Sequence, residues 1–350
     1  MAKNPDEGEP VPRTMVLDLV EGVLVPPKSF RREVVKDALN YKARPGDIFM
    51  ATYPKTGCTW TQYTLWFLFN LDKQEGVPTF TEILTKYAPF LEMAGRKAVE
   101  ALQPPRLIKH HLTFTASPYH KDAKYVVIVR NPFDCVVSFY HHSLEDRVNL
   151  RMRADTTFDE FFEDFMDGYL PFGHYFEHIL SWYAHRNDPN VFFFYYEHFK
   201  SDTKKTVLAL AKFVDASIWQ RLRTNKALLN GLLERISFDN LKSNVVIDGD
   251  HHRHDHIRAD GDANSNEKEV HVSVDEGVDG TGGSPDGPDR RLRSSEESVP
   301  LSNFFRKGQV GDWKGYFKPE QERRLRAVYE KRMRGTEMWD VWKDYLGYND

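Results

Sequence analysis

Tyr53-Pro54-Lys55-Thr56-Gly57-Cys58-Thr59-Trp60 puts a cation, two threonine hydroxyls and a glycine within eight residues. Gly57 lets the backbone turn tightly, and a helix starting directly after it offers unpaired N–H groups to a phosphate. Lys55, Thr56 and Thr59 add charge and hydroxyl donors to that cradle. The lysine precedes the glycine, so this is not the GxxxxGK[ST] loop. A second reactive group is Ile108-Lys109-His110-His111-Leu112, a cation and two imidazoles on an extended stretch. Alternation along a strand sends Lys109 and His111 to one face and His110 to the other. Taken singly, each motif also has a plain explanation. One glycine turn is an ordinary strand–helix corner, and most of the 14 histidines need be no more than surface or core residues.

The elements that must carry these residues are legible nearby. Runs 47–53, 124–130 and 190–196 are short, β-rich and almost continuously apolar, the pattern of strands covered on both faces. Residues 106–111 form a weaker fourth. Helical patterns over 60–70, 134–144, 204–214 and 320–329 alternate with them, and Thr157 with Glu160 opens another with capping-box spacing. This alternation predicts an α/β single domain, a central parallel sheet flanked by helices with a P-loop-like nucleotide-binding core. In such sheets ligands sit beyond the carboxyl ends of the strands, where Lys55, His111, Arg130 and Tyr196 all fall.

The octet 53–60 resembles the 5′-phosphosulfate loop of the cytosolic sulfotransferase family, usually YPKSGTTW. The segment Arg130-Asn131-Pro132 with Ser138 eight residues past the arginine resembles that family's 3′-phosphate segment. Arg306-Lys307-Gly308-Gln309-Val310-Gly311-Asp312-Trp313-Lys314 resembles its RKGxxGDWK block. Three matches in the right order, with similarity over 17–345, identify the chain as resembling a PAPS-dependent member. The resemblance implies a sulfuryl transfer from 3′-phosphoadenosine 5′-phosphosulfate (PAPS) to a small hydroxyl acceptor, with 3′-phosphoadenosine 5′-phosphate as product and no metal. It places His111 as general base and Lys55 on the bridging oxygen of the leaving phosphate. Lys109 then serves the sulfuryl oxygens, and Ser138 joins these three. Lys55 to Trp60, including Thr56, Gly57, Cys58 and Thr59, would hold the 5′ end. A second anion site for the 3′-phosphate would use Arg130, Ser138, Arg306, Lys307 and Gly308, while Trp60, Tyr196 and Phe238 would meet adenine. Ile236 stands where the family often has Thr, which removes a polar contact beside the adenine.

For the acceptor, Ala88-Pro89-Phe90-Leu91-Glu92 resembles the family's P-F-L-E segment, so Phe90 is expected to line the pocket beside His111 and His142. The expected acceptor is a phenol or a phenolic amine; phenol-selective relatives often carry an aromatic where His142 stands, so the more polar surface here counts against a simple flat phenol. Glu145 and Asp146 follow closely. A carboxylate there that faces the pocket favours a protonated amine, and one that faces water does nothing.

The bulk composition agrees. Only Cys58 and Cys135 are present, too few for a disulfide framework, which points to a reducing, cytoplasmic setting. The start of the chain has no apolar targeting core, and the apolar run near 65–71 is too short to span a bilayer. The formal charge of −4 is uneven. Residues 248–297 hold 14 acidic and 6 basic groups, so the remainder carries 48 − 6 = 42 basic against 52 − 14 = 38 acidic. A remainder of about +4 suits a small anion better than a nucleic-acid backbone, and no membrane partner is expected. Residues 1–16 read as a flexible terminus, and 17–350 as the domain, interrupted by an acidic, aromatic-free stretch over 246–303 that reads as an insertion or lid. The run His251-His252-Arg253-His254-Asp255-His256 within it reads as a solvated stretch that could take a transition metal only adventitiously. The family's C-terminal dimer pattern is not kept, with Lys318-Pro319 and Arg323 at its key positions, so a monomer or a homodimer is expected. The readings set against a sulfotransferase are a P-loop nucleotide kinase, which lacks its GK[ST] signature here, and a catalytically silent binding relative.

Overall fold

The computed structural model describes residues 13–73, 76–247, 299–300 and 306–348. A hairpin of β1 (Asp18–Val20) and β2 (Val23–Val25) leads into α1 (Arg32–Leu39) and then β3 (Asp47–Ala51). The octet turn follows, then α2 (Cys58–Phe69). A short α3 (Phe80–Glu82) runs into a π-turn at Ile83–Tyr87, followed by α4 (Leu91–Glu100) and β4 (Arg106–His110). Next come β5 (Lys124–Val129), α5 (Pro132–Glu145), α6 (Phe158–Asp167), α7 (Tyr175–Tyr183) and β6 (Val191–Tyr195). Helices α8 (Tyr196–Ser201), α9 (Thr203–Val214), α10 (Ala216–Thr224), α11 (Lys226–Arg235) and α12 (Phe238–Asn244) close the second half. The chain ends on α13 (Pro319–Met333) and α14 (Glu337–Trp342).

The sheet is parallel, in the order β4-β3-β5-β6. Alternation divides its side chains between two cores. Phe49, Ala51, Tyr125 and Val127 join the core under α5, α6, α7, α13 and α14, while Ile48, Met50, Val126 and Ile128 join the one under α2 and α9 to α12. Each strand thus buries both faces, which is why the runs are unbroken in apolar character. The predicted strands are each found, and so is the fourth, slightly shorter at their ends.

Helix ends follow local chemistry. Thr157 and Glu160 form the expected capping box and Gly168, left-handed at φ 71°, stops α6. Asn131 caps α5 with Pro132 in its first turn. Helix α2 is buried nearly all round, so it has no polar stripe, and its start at Cys58 rather than Trp60 reaches right up to Gly57. Trp182 and Trp342 are fully buried, and each finds a partner for its indole N–H, on the Leu112 carbonyl at 3.0 Å and on Glu197 Oε2 at 2.8 Å.

One boundary differs from its expected place, and one segment lies mostly outside the described residues. Of residues 1–16, the first twelve lie outside the described residues, but Thr14 and Met15 are buried. Asp164 takes the Thr14 N–H and hydroxyl at 2.8 and 2.6 Å and pairs with Arg13, so the ordered domain begins before residue 17. The stretch 246–303 lies outside the described residues except Val246–Ile247 and Val299–Pro300, which pair with each other antiparallel.

Candidate active site

The register of the sheet brings four strand ends together: Ala51 pairs with His110, and Val129 with Tyr195. One residue beyond these ends stand Thr52, His111, Arg130 and Tyr196. One cavity opens there, and it is lined by Lys55, Gly57, Cys58, Thr59, Trp60, Phe90, Lys109, His111, Arg130, Ser138, His142, Tyr196, Phe238, Arg306, Lys307 and Gly308. Segments 250 residues apart in sequence meet in it.

The octet turn is held by its own atoms. Lys55 and Gly57 have φ of 68° and 117°. A Cβ on Gly57 would sit 2.8 Å from Ile128 Cδ1 and 3.0 Å from Tyr196 Cδ2, so only glycine fits. The Thr56 hydroxyl donates to the Tyr53 carbonyl at 2.8 Å. Thr56 is fully buried and absent from the cavity wall, so its side chain closes the turn instead of offering a donor to a ligand. Burial pushes the Cys58 thiol up, which keeps it protonated.

His111 is fixed on both its ring and its backbone. Its Nδ1 lies 2.6 Å from the Thr52 carbonyl and 3.1 Å from the Thr52 hydroxyl. A carbonyl only accepts, so Nδ1 carries the proton and Nε2 keeps the lone pair. The ring stands edge-on to Phe90 and Phe172 at 4.9 and 5.0 Å. Burial first, then the nearby Lys109 charge, holds this imidazole well below the ordinary histidine value, so it is neutral near pH 7. Lys109 Nζ sits 4.0 Å from the centre of the Phe90 ring. Burial lowers Lys109 and brings Lys55 down to about 7, with Glu145 opposing the shift of Lys55. His110 faces the other way, towards Ser117 at 3.0 Å and the rings of Phe49 and Trp182, as alternation requires.

At the far end Arg130 is buried, its guanidinium 4.5 Å from the Tyr196 ring centre and its Nη2 3.1 Å from the Gln309 carbonyl. Its Nε has no hydrogen-bond partner among the described residues, which is what a missing anion would leave. Gly308 has φ 60°, and a Cβ there would lie 2.6 Å from the Phe238 ring. Trp60 stacks on Phe199 at 3.8 Å and donates its N–H to the Ile236 carbonyl at 2.8 Å. The Ile236 position therefore contributes through its backbone. Arg306 and Lys307 both pair with Asp312 inside their own block, Lys307 at 2.7 Å.

The other wall is apolar and aromatic, with Phe30, Leu84, Met93, Phe139 and Phe172 around Phe90. Ser29, His142 and Asp146 add polar groups to this lining. Asp146 Oδ1 accepts from Asn149 Nδ2 at 2.6 Å. Glu145 does not line the cavity. Burial, then Lys55 and Lys109, depress His142 well below the ordinary histidine value.

Sequence reasoning missed the buried acids that hold this framework. Asp134 Oδ2 takes the Gly311 N–H at 2.8 Å and its Oδ1 the Trp313 N–H at 3.2 Å, tying the 306–314 block to α5. Glu197 Oε1 accepts the Asn131 N–H at 2.9 Å. Glu92 Oε1 accepts the His111 N–H at 2.7 Å. Only a carboxylate inside an apolar run, as in Phe90-Leu91-Glu92-Met93, hinted at such roles.

Among the described residues no helix is long and apolar enough to cross a membrane, and no cluster of three His, Cys, Asp or Glu is arranged for a metal. The His251–His256 run lies outside them.

Comparison with known proteins adds an independent line. The sequence matches the family described as "Sulfotransferase domain" over residues 45–276 and 289–337. It is 28% identical over 306 residues to sulfotransferase 1B1 of Canis lupus familiaris, covering 85% of this chain and 86% of that one. It is 26% identical over 310 residues to an amine sulfotransferase of Oryctolagus cuniculus, with 87% and 86% covered. The crystal structure of mouse sulfotransferase SULT7A1 complexed with PAP has the same fold, with TM-score 0.66 at 24% identity over 95% of this chain and 99% of that one.

Proposed function

The chain belongs to the sulfotransferase domain family, and we propose that it transfers a sulfuryl group from PAPS to the hydroxyl of a small, largely apolar acceptor, a phenol or phenolic amine. The bond from the acceptor oxygen to sulfur forms as the bond from sulfur to the 5′-phosphate oxygen breaks, and that phosphate leaves with the electron pair. His111 Nε2 takes the hydroxyl proton. Lys55 meets the charge growing on the bridging oxygen and Lys109 that on the sulfuryl oxygens, the kind of preset electrostatics that dominates such transfers. Ser138 stands with them. The 53–60 turn, with the Thr59 hydroxyl and the start of α2, takes the 5′ end. Arg130 and the Arg306–Gly308 turn take the 3′-phosphate, and Trp60, Tyr196 and Phe238 flank the adenine.

The observation that carries this reading is the neutral His111 with Nδ1 committed to Thr52 on the wall shared with Lys55 and Lys109. A general base must be neutral and must hold its lone pair towards the reacting hydroxyl. The aromatic wall suits a flat acceptor. Asp146 on that wall adds a carboxylate for a protonated amine, and the similarity to an amine sulfotransferase, at 26% identity, supports the same class.

The test is His111→Ala, expected to lower kcat by roughly 10²- to 10⁴-fold with PAP affinity near wild type. His110→Ala is expected to cost far less turnover per folded molecule. Exchange of the two phenotypes would move the base to His110.

A further inference from the structure

We propose that Glu92 is a positioning residue for His111, acting as a hydrogen-bond acceptor and not as the counter-ion of Lys109. This rests on the reading of His111 as the general base.

The sequence places Glu92 in the first turn of α4, just after a stretch that joins the sheet edge. Phe90 bridges to Lys109 in parallel, and the Lys109 N–H donates to the Pro89 carbonyl at 2.9 Å. That register sets Glu92 beside the end of β4, where the strand stops pairing and the His111 main chain needs another acceptor. Glu92 Oε1 supplies it at 2.7 Å. The His111 carbonyl is met from the opposite side by His178 Nε2 at 3.1 Å. The following carbonyl, Leu112, takes the Trp182 N–H at 3.0 Å. With the backbone held at both ends of the peptide pair, the imidazole reaches Thr52 with Nδ1 and can present only Nε2 to the cavity.

Glu92 itself is fully buried, and its Oε2 has no hydrogen-bond partner among the described residues. No ion pair within 4.0 Å joins it to Lys109 among the described residues, and the two charges act on each other only at longer range; the ammonium rests over the Phe90 ring. A buried carboxylate with one bare oxygen and no paired cation is costly, whereas the neutral acid keeps the same acceptor at Oε1. Burial accordingly raises this carboxyl to about 8. A glutamine has the same shape and the same acceptor. A methionine has similar volume and no acceptor.

The experiment compares full-length wild type, Glu92→Gln, Glu92→Met and His111→Ala. It reads PAP affinity, kcat with a simple phenol per PAP-binding site, and the ¹⁵N imidazole signals that report the His111 tautomer. Glu92→Gln is expected to keep kcat within about threefold and to keep the Nδ1–H form. Glu92→Met is expected to lose about tenfold or more in kcat at unchanged PAP affinity and to show mixed tautomers. A Glu92→Gln variant that loses turnover with PAP affinity intact overturns the proposal, because the negative charge would then matter. This variant decides the question alone should Glu92→Met not fold. Full turnover in Glu92→Met while His111→Ala is inactive also overturns it, leaving the base assignment standing. Full turnover in His111→Ala refutes the base assignment itself.

Discussion

At the Arg130 end of the cavity, buried acids grip N–H donors: Asp134 holds the main chain of Gly311 and Trp313, and Glu197 holds the Asn131 main chain and the Trp342 indole. At the Phe90 end the contacts are rings meeting edge-on, Phe30 to Phe90 at 5.2 Å and Phe30 to Phe172 at 5.4 Å. Hydrogen bonds are directional and fix one geometry, while apolar packing fills space and tolerates changes of shape. An enzyme with one invariant donor and a choice of acceptors wants this division, rigid polar anchoring on one side and a remouldable apolar wall on the other. Between the two ends lie Lys55, Lys109 and His111, and Glu92 is the buried acid that reaches this middle ground.

The largest effect that tests the division concerns stability at that boundary. The Glu92 carboxyl is raised from its ordinary value of 4.5 to about 8, with burial as the main cause. The unfolded chain therefore ionises first, and the folded state loses stability as pH climbs from about 4.5 to about 8. Glu92→Gln removes that loss. Its unfolding free energy is expected to match wild type near pH 4.5 and to exceed it increasingly up to pH 8, by on the order of a few kcal/mol at the plateau, with the melting temperature rising in step. A difference constant with pH in thermal melts would show that Glu92 is ionised throughout, making it an anchor of the Asp134 and Glu197 kind with a charge to match.

The second effect belongs to the anchored end. Arg130→Ala is expected to weaken binding of the 3′-phosphorylated nucleotide by about 1.5–3 kcal/mol for the lost charge-assisted contact. The analogue without the 3′-phosphate is expected to bind both proteins alike. Calorimetry showing equal losses for both ligands would place the phosphate elsewhere and leave the bare Arg130 Nε without an account.

The same division explains what could be read from the sequence. Lys55, Gly57, Arg130, Ser138 and Gly308 lie in three compact sequence blocks, so their residue types and spacing can be read together. Strands β3, β5 and β6 were legible because burial on both faces makes them continuous apolar runs. The apolar wall was not. Phe30, Leu84, Met93 and Phe172 come from four separate segments, and each alone reads as ordinary core. Nor does the octet show that the Thr56 hydroxyl donates to the Tyr53 carbonyl inside the turn. The periodicity of a turn does not reveal which hydroxyl it consumes. The helices α10 to α12 each bury only one or two side chains, Ile218 and Leu222, Leu229 and Leu232, and Leu241, too few to mark a helical period in the sequence.

The smallest effect probes the tolerant end at Asp146, the one carboxylate lining it among the described residues. Asp146 follows α5 directly, where the chain leaves the helix, and it lines the cavity while Glu145 beside it does not. Asn149 holds one of its oxygens at 2.6 Å, which steadies the carboxylate. A protonated amine reaching that carboxylate in a partly buried site gains on the order of 1–3 kcal/mol over an uncharged analogue. The measurement is kcat/KM for a phenolic amine and for its uncharged counterpart in wild type, Asp146→Asn and Glu145→Gln. Asp146→Asn is expected to cut the amine-to-neutral ratio by about tenfold and to leave the neutral phenol nearly untouched, with Glu145→Gln changing neither. If Glu145→Gln moved the ratio instead, the charge would be acting through Lys55, whose own charge Glu145 supports. In that case the preference would sit with the anchored machinery and not with the wall. A ratio unmoved in both variants would make the wall chemically blind to amines, and acceptor choice would then rest on shape alone.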